Sequence, residues 1–477
     1  MIFTSYVYLL FLLVMFILHW SVPVGWRRQV LIAGSYFFYC TWDWPLGFLL
    51  LGVSLFNWSY GRWISRKADL AWPLFAGILV NLSPLFYFKY SNFVFSNLST
   101  VVQFAGGGWK YNIADIILPL GISFFTFQGI AYLVDIWAGE KPFEKLCDFL
   151  LFKAFWPQLI AGPIIRTHEI YDQIMAERVL SYENIAFGSQ RIIFGFFKKV
   201  VLADSISPYV DSIFLHGTSP NAIDGVFGAL GFGLQIYFDF SAYSDIAIGS
   251  ARLFGFKFPE NFNWPYSSAS PQDFWNRWHM TLSRWIRDYV FTPIQFATRH
   301  YPLMAPFCVL GAMATCGLWH GAQWTFIFWG CWHGILLILN YSVLKDFFFN
   351  KKKGVNSWSY YFRHISAMAV TYIMVNLAWI LFRAQTLADA INIFSAIFAL
   401  KGGLHPAIIR ESVVVFIGLV IILLGVMQIT RGWFERLIFS ESLSPVHVAC
   451  RSVVYLLLIV AITIFDKSSK AFIYFQF

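Results

Sequence analysis

Apolar runs of about 20 residues recur along the whole chain, and this feature restricts the fold more than any other. A run of that length crosses the hydrocarbon core of a bilayer as one helix, and we count roughly eleven of them, allowing for breaks. Only 12% of the 477 residues are charged and 58% are hydrophobic. The sequence therefore predicts an all-α polytopic integral membrane protein.

The distribution of basic residues predicts how this protein is oriented. Basic residues follow the first, third and fifth spans: Arg27, Arg28, Arg62, Arg66, Lys67, Lys141 and Lys145. Loops rich in Lys and Arg stay in the cytoplasm, so we expect the amino terminus outside. The first apolar run lacks the basic leader and cleavage site of a secretory signal, and we interpret it as a span. The net charge of +9 fits anionic lipid headgroups and requires no nucleic acid.

Two histidines lie in the apolar segment GLWHGAQWTFIFWGCWHGILLIL, residues 317–339. An imidazole at membrane depth is costly unless it has a partner or a function. Four glycines flank these histidines and would let backbones or a ligand come close: Gly317, Gly321, Gly330 and Gly334. We select His320 as the first functional candidate and His333 as a weaker one.

The same segment contains side chains that could bind a metal ion. Two sulfurs and two imidazoles fall within this short stretch: Cys316, His320, Cys331 and His333. Their spacing matches no standard zinc pattern, and no carboxylate is near. We therefore expect no metal, and we interpret the six cysteines as buried apolar residues.

The polar segment SPQDFWNRWHMTLSRWIRDYVFTP starts at Ser270 and predicts an interfacial helix. Ser270 would cap it, Pro271 would take the first helical position, and Pro293 would follow its end. His279 would lie at the edge of the apolar stripe, which makes it the second functional candidate. The polar residues of this helix are candidates for binding the acidic phosphates of a donor: Asn276, Arg277 and Arg284. Trp319, beside His320, is a further candidate binding residue.

The stretch YFDFSAYSDIAIGSARLFGF, residues 237–256, carries four polar candidates: Asp239, Tyr243, Ser244 and Asp245. Carboxylates in a membrane helix must be paired or must face a wet cavity. Two interpretations stay open here. These residues form either a structural hydrogen-bond network or part of the lining of a substrate funnel.

Four motifs in this order resemble the membrane-bound O-acyltransferase (MBOAT) superfamily in its bacterial alginate O-acetylase branch. They are WPQLIAGPIIR at 156–166, FDFSAYSDIAIG at 238–249, PQDFWNRWHMTLSRWIRDYVFTPI and GLWHGA. The resemblance implies an MBOAT-type helical barrel with interfacial or re-entrant helices. We expect one domain over 1–477, with peripheral spans at about 1–110, a catalytic core at about 114–345 and carboxy-terminal spans at about 362–466.

The resemblance also implies the reaction and its residues. The family's invariant histidine falls on His320, and its second polar position falls on His279. The expected acyl donor is cytoplasmic acetyl-CoA, with no bound cofactor, in a bacterial inner membrane. The acceptor would be a hydroxyl of an extracytoplasmic polysaccharide, alginate or a similar exopolysaccharide or peptidoglycan, or of a periplasmic SGNH-type partner esterase.

Acyl transfer from a thioester requires a general base for the acceptor hydroxyl and stabilisation of the developing oxyanion. His320 suits the base, and His279 would donate to the oxyanion or orient the donor. No GxSxG motif is present, which argues against a serine hydrolase. Two alternatives remain: D-alanyl transfer to teichoic acid from a carrier-protein thioester, and a non-catalytic transporter or scaffold of a polysaccharide secretion complex.

The predicted orientation can be tested by cysteine labelling. We expect the amino terminus to react with an impermeant thiol reagent added outside, and the loop at Lys351 to Lys353 to be protected, because basic loops stay inside. Single cysteines at each place, in an otherwise cysteine-free variant, provide the measurement. Labelling of the Lys351 loop from outside in intact cells would reverse the assigned orientation.

Overall fold

The structure is a computed structural model that describes residues 3–67, 69–215, 217–342, 344–345, 347, 358–402, 405–429, 445–465 and 472–473. All regular structure in these ranges is helical. Three of the described helices are long and apolar enough to cross a membrane: Pro302–His320, Phe362–Arg383 and Val448–Phe465. Shorter apolar helices are Tyr6–Ser21, Ile122–Trp137, Leu387–Phe398 and Glu411–Val426. The all-helical class is confirmed, while the count of roughly eleven spans stays a prediction. The Lys351 to Lys353 loop lies outside the described residues.

The chain divides into two compact units. The first consists of residues 1–192, 243–259 and 477, and the second of 193–242 and 260–476. The prediction of one domain, with its three boundaries, stays a prediction.

The first unit is built mainly from the amino-terminal helices. They are α1 (Tyr6–Ser21), α2 (Arg27–Cys40), α3 (Trp44–Ile64), α4 (Trp72–Leu85), α5 (Ser91–Phe104), α6 (Ile122–Trp137), α7 (Leu146–Ala154), α8 (Trp156–Leu159), α9 (Thr167–Met175) and most of α10 (Tyr182–Phe196). α3 and α4 pack on α6, and α2 packs on α7. Asn57 and Asn81 exchange side-chain hydrogen bonds of 2.9 and 3.1 Å between α3 and α4. Arg28 pairs with the buried Asp148 at 2.7 Å. Polar contacts therefore join these helices where water is scarce.

The second unit contains the histidine-bearing segments. Its helices are α11 (Asp204–Ile213), most of α12 (Ala222–Leu253), α13 (Pro271–Trp275), α14 (Met280–Ile286), α15 (Thr292–Ala297), α16 (Ala305–His320), α17 (Trp324–Tyr341), α18 (Trp358–Arg383), α19 (Leu387–Phe398), α20 (Glu411–Ile429) and α21 (Pro445–Phe465). π-helical turns occupy Phe197–Ala203 and Arg287–Phe291. Such turns are rare and often lie at functional sites.

α16 and α17 form an antiparallel hairpin whose backbones touch. A Cβ atom on Gly317 would overlap the Phe326 carbonyl oxygen, and one on Gly330 would overlap the Met313 carbonyl oxygen. The expected role of these glycines in close approach is thus confirmed for two backbones. The hairpin holds His320 at the carboxyl end of α16.

The interfacial segment differs from the sequence prediction. Ser270 caps α13 as expected, accepting from the Asp273 N–H at 3.1 Å, and Pro271 takes the first turn. The prediction of one helix ending before Pro293 is wrong. The helix breaks after Trp275, resumes at Met280, and continues through Pro293 into α15.

Backbone pairing with an upstream segment explains this break. The Asn263 N–H donates to the Arg277 carbonyl at 2.9 Å, and the Met280 N–H donates to the Asn261 carbonyl at 2.9 Å. These bonds use the Arg277 carbonyl and the Met280 N–H, both of which would pair within the segment if the helix were continuous. The π-helical turn at Arg287–Phe291 then shifts the register just before Pro293, so the missing proline N–H falls in the first turn of α15.

Close packing of the hairpin predicts a position-specific effect of added methyl groups. Gly330→Ala should lower stability by about 1–3 kcal/mol, because the new Cβ meets backbone that cannot move aside easily. Gly311→Ala, also in this hairpin, is the control, since a Cβ there meets nothing within 4 Å. Thermal unfolding of both variants in the same detergent provides the measurement. Equal melting temperatures would contradict the packing role of Gly330.

Candidate active site

His279 occupies a strained and fully buried position between α13 and α14. Its backbone is left-handed, with φ 41° and ψ 53°, and its exposed fraction is 0%. Such a conformation in a residue other than glycine costs of order 1 kcal/mol or more and often marks a functional site. Burial lowers the pKa of the His279 ring, because a charged ring there would lose its solvation. The imidazole is therefore neutral.

Asn261 holds this histidine in place. Its side-chain oxygen, Oδ1, lies 3.1 Å from His279 Nδ1 and accepts from both the backbone N–H and the hydroxyl of Thr281, at 3.3 and 2.9 Å. Asn261 is itself fully buried. The ring orientation is thus fixed by a residue distant in sequence.

His320 ends α16 and lies among aromatic rings of three elements. Its ring centroid is 4.9 Å from that of Trp319, 5.1 Å from that of Trp329 and 5.1 Å from that of Phe382. The His320 residue is only 4% exposed. These aromatic rings leave little of the imidazole accessible to water.

The two histidines face one region of the second unit. Their ring centroids lie 6.5 Å apart, and Trp319 contacts both rings, at 5.8 Å from His279 and 4.9 Å from His320. Phe240 closes the other side of His279 with an edge contact at 4.6 Å. His279 and His320 are therefore juxtaposed, with a spacing that suits reacting groups held near both rings.

A cavity of about 870 Å³ lies in the same unit. Its polar lining consists of Gln272, Asn276, Ser283, Arg284, Arg287, Gln295, Tyr341 and Ser342. Its apolar walls include Trp275, Met280, Ile286, Phe291, Ala312, Met313 and Cys316. Neither His279 nor His320 lines the cavity. The lining does contain Met280, which directly follows His279, and Cys316, which precedes His320 by one helical turn.

Comparison with known proteins decides the family. The model of the membrane-bound O-acyltransferase family, MBOAT, matches residues 144–379. The chain is 36% identical over 405 residues to the probable alginate O-acetylase AlgI of Azotobacter vinelandii, covering 84% of this chain and 78% of that relative. The chain belongs to the membrane-bound O-acyltransferase family.

Two further relatives are similar to this membrane-embedded acyltransferase. The peptidoglycan O-acetyltransferase of Helicobacter pylori is 35% identical over 407 residues, covering 78% of this chain and 74% of the relative. The teichoic acid D-alanyltransferase of Streptococcus thermophilus is 33% identical over 264 residues, covering 50% of this chain and 59% of the relative. The similarity to the O-acetylating relatives extends over more of the chain.

The acyltransferase holds His333 in an aromatic cluster next to the pair. Its ring lies 5.1 Å from Trp275, 4.9 Å from Trp329 and 6.0 Å from Phe274, the last in a parallel stack. Both ring nitrogens are buried and find no hydrogen-bond partner among the described residues. His333 therefore belongs to the wall behind His320, and its functional role stays a prediction.

The other candidates from the interfacial segment fall into two groups. Asn276 and Arg284 line the cavity, as expected for donor-binding residues. Arg277 instead pairs with Asp273 at 2.8 Å and lies outside the lining. Arg287, which the sequence analysis did not select, does line the cavity. The structure therefore places Arg284 and Arg287 in the lining and Arg277 in an ion pair.

The two carboxylate candidates of α12, Asp239 and Asp245, form ion pairs with basic side chains. In the second unit, Asp239 pairs with Lys199 at 2.6 Å and accepts from the Ile473 N–H at 2.7 Å. In the first unit, Asp245 pairs with Arg191 at 2.7 Å. Tyr243 and Ser244 also belong to the first unit, where Tyr243 stacks on Phe3 with ring centroids 4.5 Å apart. These contacts favour the structural interpretation for the two carboxylates.

The expectation that Cys316, His320, Cys331 and His333 bind no metal stays a prediction. Among the described residues, one group brings ligand atoms within 4.8 Å of each other: Asp135, Glu140 and His168 of the first unit. Acidic groups at partly exposed positions are common without an ion. No step of the acyltransferase chemistry is assigned to it.

Sequence reasoning missed several residues of the site. They are Asn261 and Phe240 beside His279, Trp329 and Phe382 beside His320, and Trp379, which stacks on Trp329. Phe240 stands inside the FDFSAYSDIAIG motif, so its motif was a usable signal. Asn261 lies in an irregular stretch before Ser270, where periodicity gives no information. Trp379 and Phe382 lie on α18, about 60 residues after His320, and contacts over that separation leave no local pattern.

Proposed function

We propose that this protein transfers acetyl groups from cytoplasmic acetyl-CoA to a hydroxyl on the outer side of the inner membrane, for O-acetylation of an extracytoplasmic polysaccharide. The juxtaposition of His279 and His320, with ring centroids 6.5 Å apart, carries the proposal. It is supported by the wide similarity to O-acetylating relatives.

The cavity suits an acyl thioester of the CoA type. Arg284 offers charge-assisted hydrogen bonds to phosphate oxygens, and Arg287, which pairs with Asp288 at 2.6 Å, adds a second guanidinium to the lining. Its volume of about 870 Å³ falls within the range of ligand sites, and its apolar walls fit the alkyl and amide parts of a pantetheine arm. The arm would extend along Met280 and Cys316, which brings its thioester towards the two histidines.

His320 performs the proton transfers in this proposal. The neutral imidazole accepts the proton of the acceptor hydroxyl as its oxygen attacks the thioester carbonyl carbon. The C–O bond forms, and the carbonyl oxygen carries the negative charge of a tetrahedral intermediate. As the intermediate collapses, the C–S bond breaks, and the CoA thiolate takes the proton from the imidazolium. Atoms and charge balance without metal, redox partner or bound cofactor.

The proposed acyl acceptors are inferred from the names of the relatives. Alginate, a similar exopolysaccharide or peptidoglycan supplies secondary or primary hydroxyls, either directly or through a periplasmic SGNH-type acetyltransferase or esterase. This arrangement requires an inner-membrane location with the amino terminus outside and membrane lipid around the helices.

The second candidate function is D-alanyl transfer to teichoic acid from a carrier-protein thioester, favoured by the 33% identity to the streptococcal relative over half of the chain. Purified protein in liposomes with labelled acetyl-CoA or labelled D-alanyl carrier, and a soluble polysaccharide acceptor, separates the two. We expect acetyl transfer and no D-alanyl transfer. Reaction with the D-alanyl carrier alone would select the rival, and reaction with neither would leave a non-catalytic scaffold or transporter.

His279 should contribute to the barrier without being the base. His279→Ala should slow transfer by about 2–4 kcal/mol in activation free energy, since it removes a group that contacts the reactants. Turnover at matched membrane abundance provides the measurement. Unchanged turnover would reduce His279 to a structural residue.

Loss of His320 should be the most severe single change. His320→Ala should retain expression and acetyl-CoA binding but lower transfer by roughly 10²-fold or more, because the general base is gone. Donor binding and glycan acetyl content, measured separately, distinguish lost chemistry from lost binding.

His333→Ala is the matched control in the same hairpin. It should cost less activity, because it loosens the aromatic wall without removing the base. Normal acetylation by His320→Ala, or abolition by His333→Ala alone, would show that the base is assigned wrongly.

A further inference from the structure

We infer that Asn261 is a positioning residue that fixes the tautomer of His279, so that His279 accepts a hydrogen bond from a substrate N–H or O–H. The identity of the substrate in this inference rests on the proposed function. The tautomer rests on the hydrogen-bond geometry around His279.

The identity of the Asn261 side-chain atom facing His279 follows from a neighbour. Thr281 N–H is a backbone donor and cannot accept, and it lies 3.3 Å from the same atom. That atom must therefore be the amide oxygen and not the amide nitrogen. The Thr281 hydroxyl, 2.9 Å away, donates to it as well.

An amide oxygen accepts hydrogen bonds and cannot donate one. His279 Nδ1, 3.1 Å from it, must then carry the proton. In a neutral imidazole the second nitrogen, Nε2, consequently carries a lone pair and acts as an acceptor. A hydrogen bond that fixes the proton on one nitrogen of a histidine thereby determines that the other nitrogen accepts a hydrogen bond.

The backbone reinforces this arrangement. The main-chain oxygen of Asn261 accepts from the Met280 N–H at 2.9 Å, so one residue holds the backbone after His279 and also its ring. The left-handed conformation of His279 is maintained between these two contacts. A strained, fully buried imidazole held at two points has little freedom to flip.

The tautomer decides between two roles for His279. A neutral ring with protonated Nδ1 cannot donate from Nε2 to an oxyanion, so orientation of a substrate is the role that remains. Two substrate groups have the matching chemistry: an amide N–H of the donor's pantetheine arm and the hydroxyl of the acceptor. Both are hydrogen-bond donors, and kinetics can separate them.

Solid-state NMR on protein labelled with ¹³C and ¹⁵N in its ten histidines tests the tautomer without any activity. His279→Phe identifies the His279 signal by its loss. We expect a neutral ring with protonated Nδ1 in the wild type and in Asn261→Asp, whose carboxylate keeps the acceptor oxygen. Asn261→Leu should lose that preference. Protonated Nε2 in the wild type, or an unchanged tautomer in Asn261→Leu, would overturn the inference.

Thr281→Val is the matched control. It removes one of the donors to Asn261 Oδ1 but leaves Asn261 facing His279. Its tautomer should equal that of the wild type. A tautomer change in Thr281→Val as large as in Asn261→Leu would show that general packing, and not Asn261, sets the ring.

Steady-state kinetics identify the oriented substrate. Asn261→Leu should lower turnover by roughly 10²-fold, because a mispositioned ring no longer orients the substrate, and Asn261→Asp should restore most of the activity. A rise in KM confined to the thioester assigns the bond to the donor, and one confined to the polysaccharide assigns it to the acceptor. Full activity of a folded Asn261→Leu protein would overturn the functional part. The NMR result decides the tautomer even if acetyl transfer is absent, so the two failures are distinguishable.

Discussion

The pairing of residues 261–263 with residues 277–280 determines the geometry of the site. Two backbone hydrogen bonds, from Asn263 to Arg277 and from Met280 to Asn261, replace the helical bonds that the sequence of this segment favours. The exchange ends α13 early and puts His279 into a left-handed conformation. Without it, His279 would be one more residue on an interfacial helix. The cost of the break is offset because every backbone group that leaves the helix and is named here finds another partner.

The sequence was sufficient for the helical class, the two histidines and the glycine hairpin, since each leaves a local signal. Apolar runs, an imidazole in such a run, and glycines around it can be recognised within about 20 residues. The break at His279 could not be predicted, because propensity and capping both favour a continuous helix there. The competing partner is a segment in irregular structure, and its pairing depends on the fold. Arg287, which lines the cavity, was missed and Arg277 was selected, because the set of residues that line a cavity depends on tertiary packing and leaves no local pattern.

Carboxylates and imidazoles have separate tasks in the second unit. Asp239 and Asp204 share Lys199 at 2.6 and 2.8 Å, and Asp224 accepts three backbone N–H groups of residues 407–409 at 3.0–3.1 Å. These contacts connect α12 to the Lys199 turn and to residues 407–409. The two facing histidines are embedded in aromatic rings. The proposed chemistry therefore rests on the imidazoles, while the carboxylates hold helices together.

Donor entry and acyl transfer have opposite requirements for water, and the structure meets them at different places. Arg284 and Arg287 line the cavity, and phosphate groups would bind to such side chains. The rings of Trp319, Trp329 and Phe382 pack around His320, the base of the proposed mechanism. A thioester beside an accessible base would hydrolyse, since the base would activate water as readily as a sugar hydroxyl. In the proposed mechanism the aromatic shell, more than the base itself, would therefore determine whether an acceptor hydroxyl or water receives the acyl group.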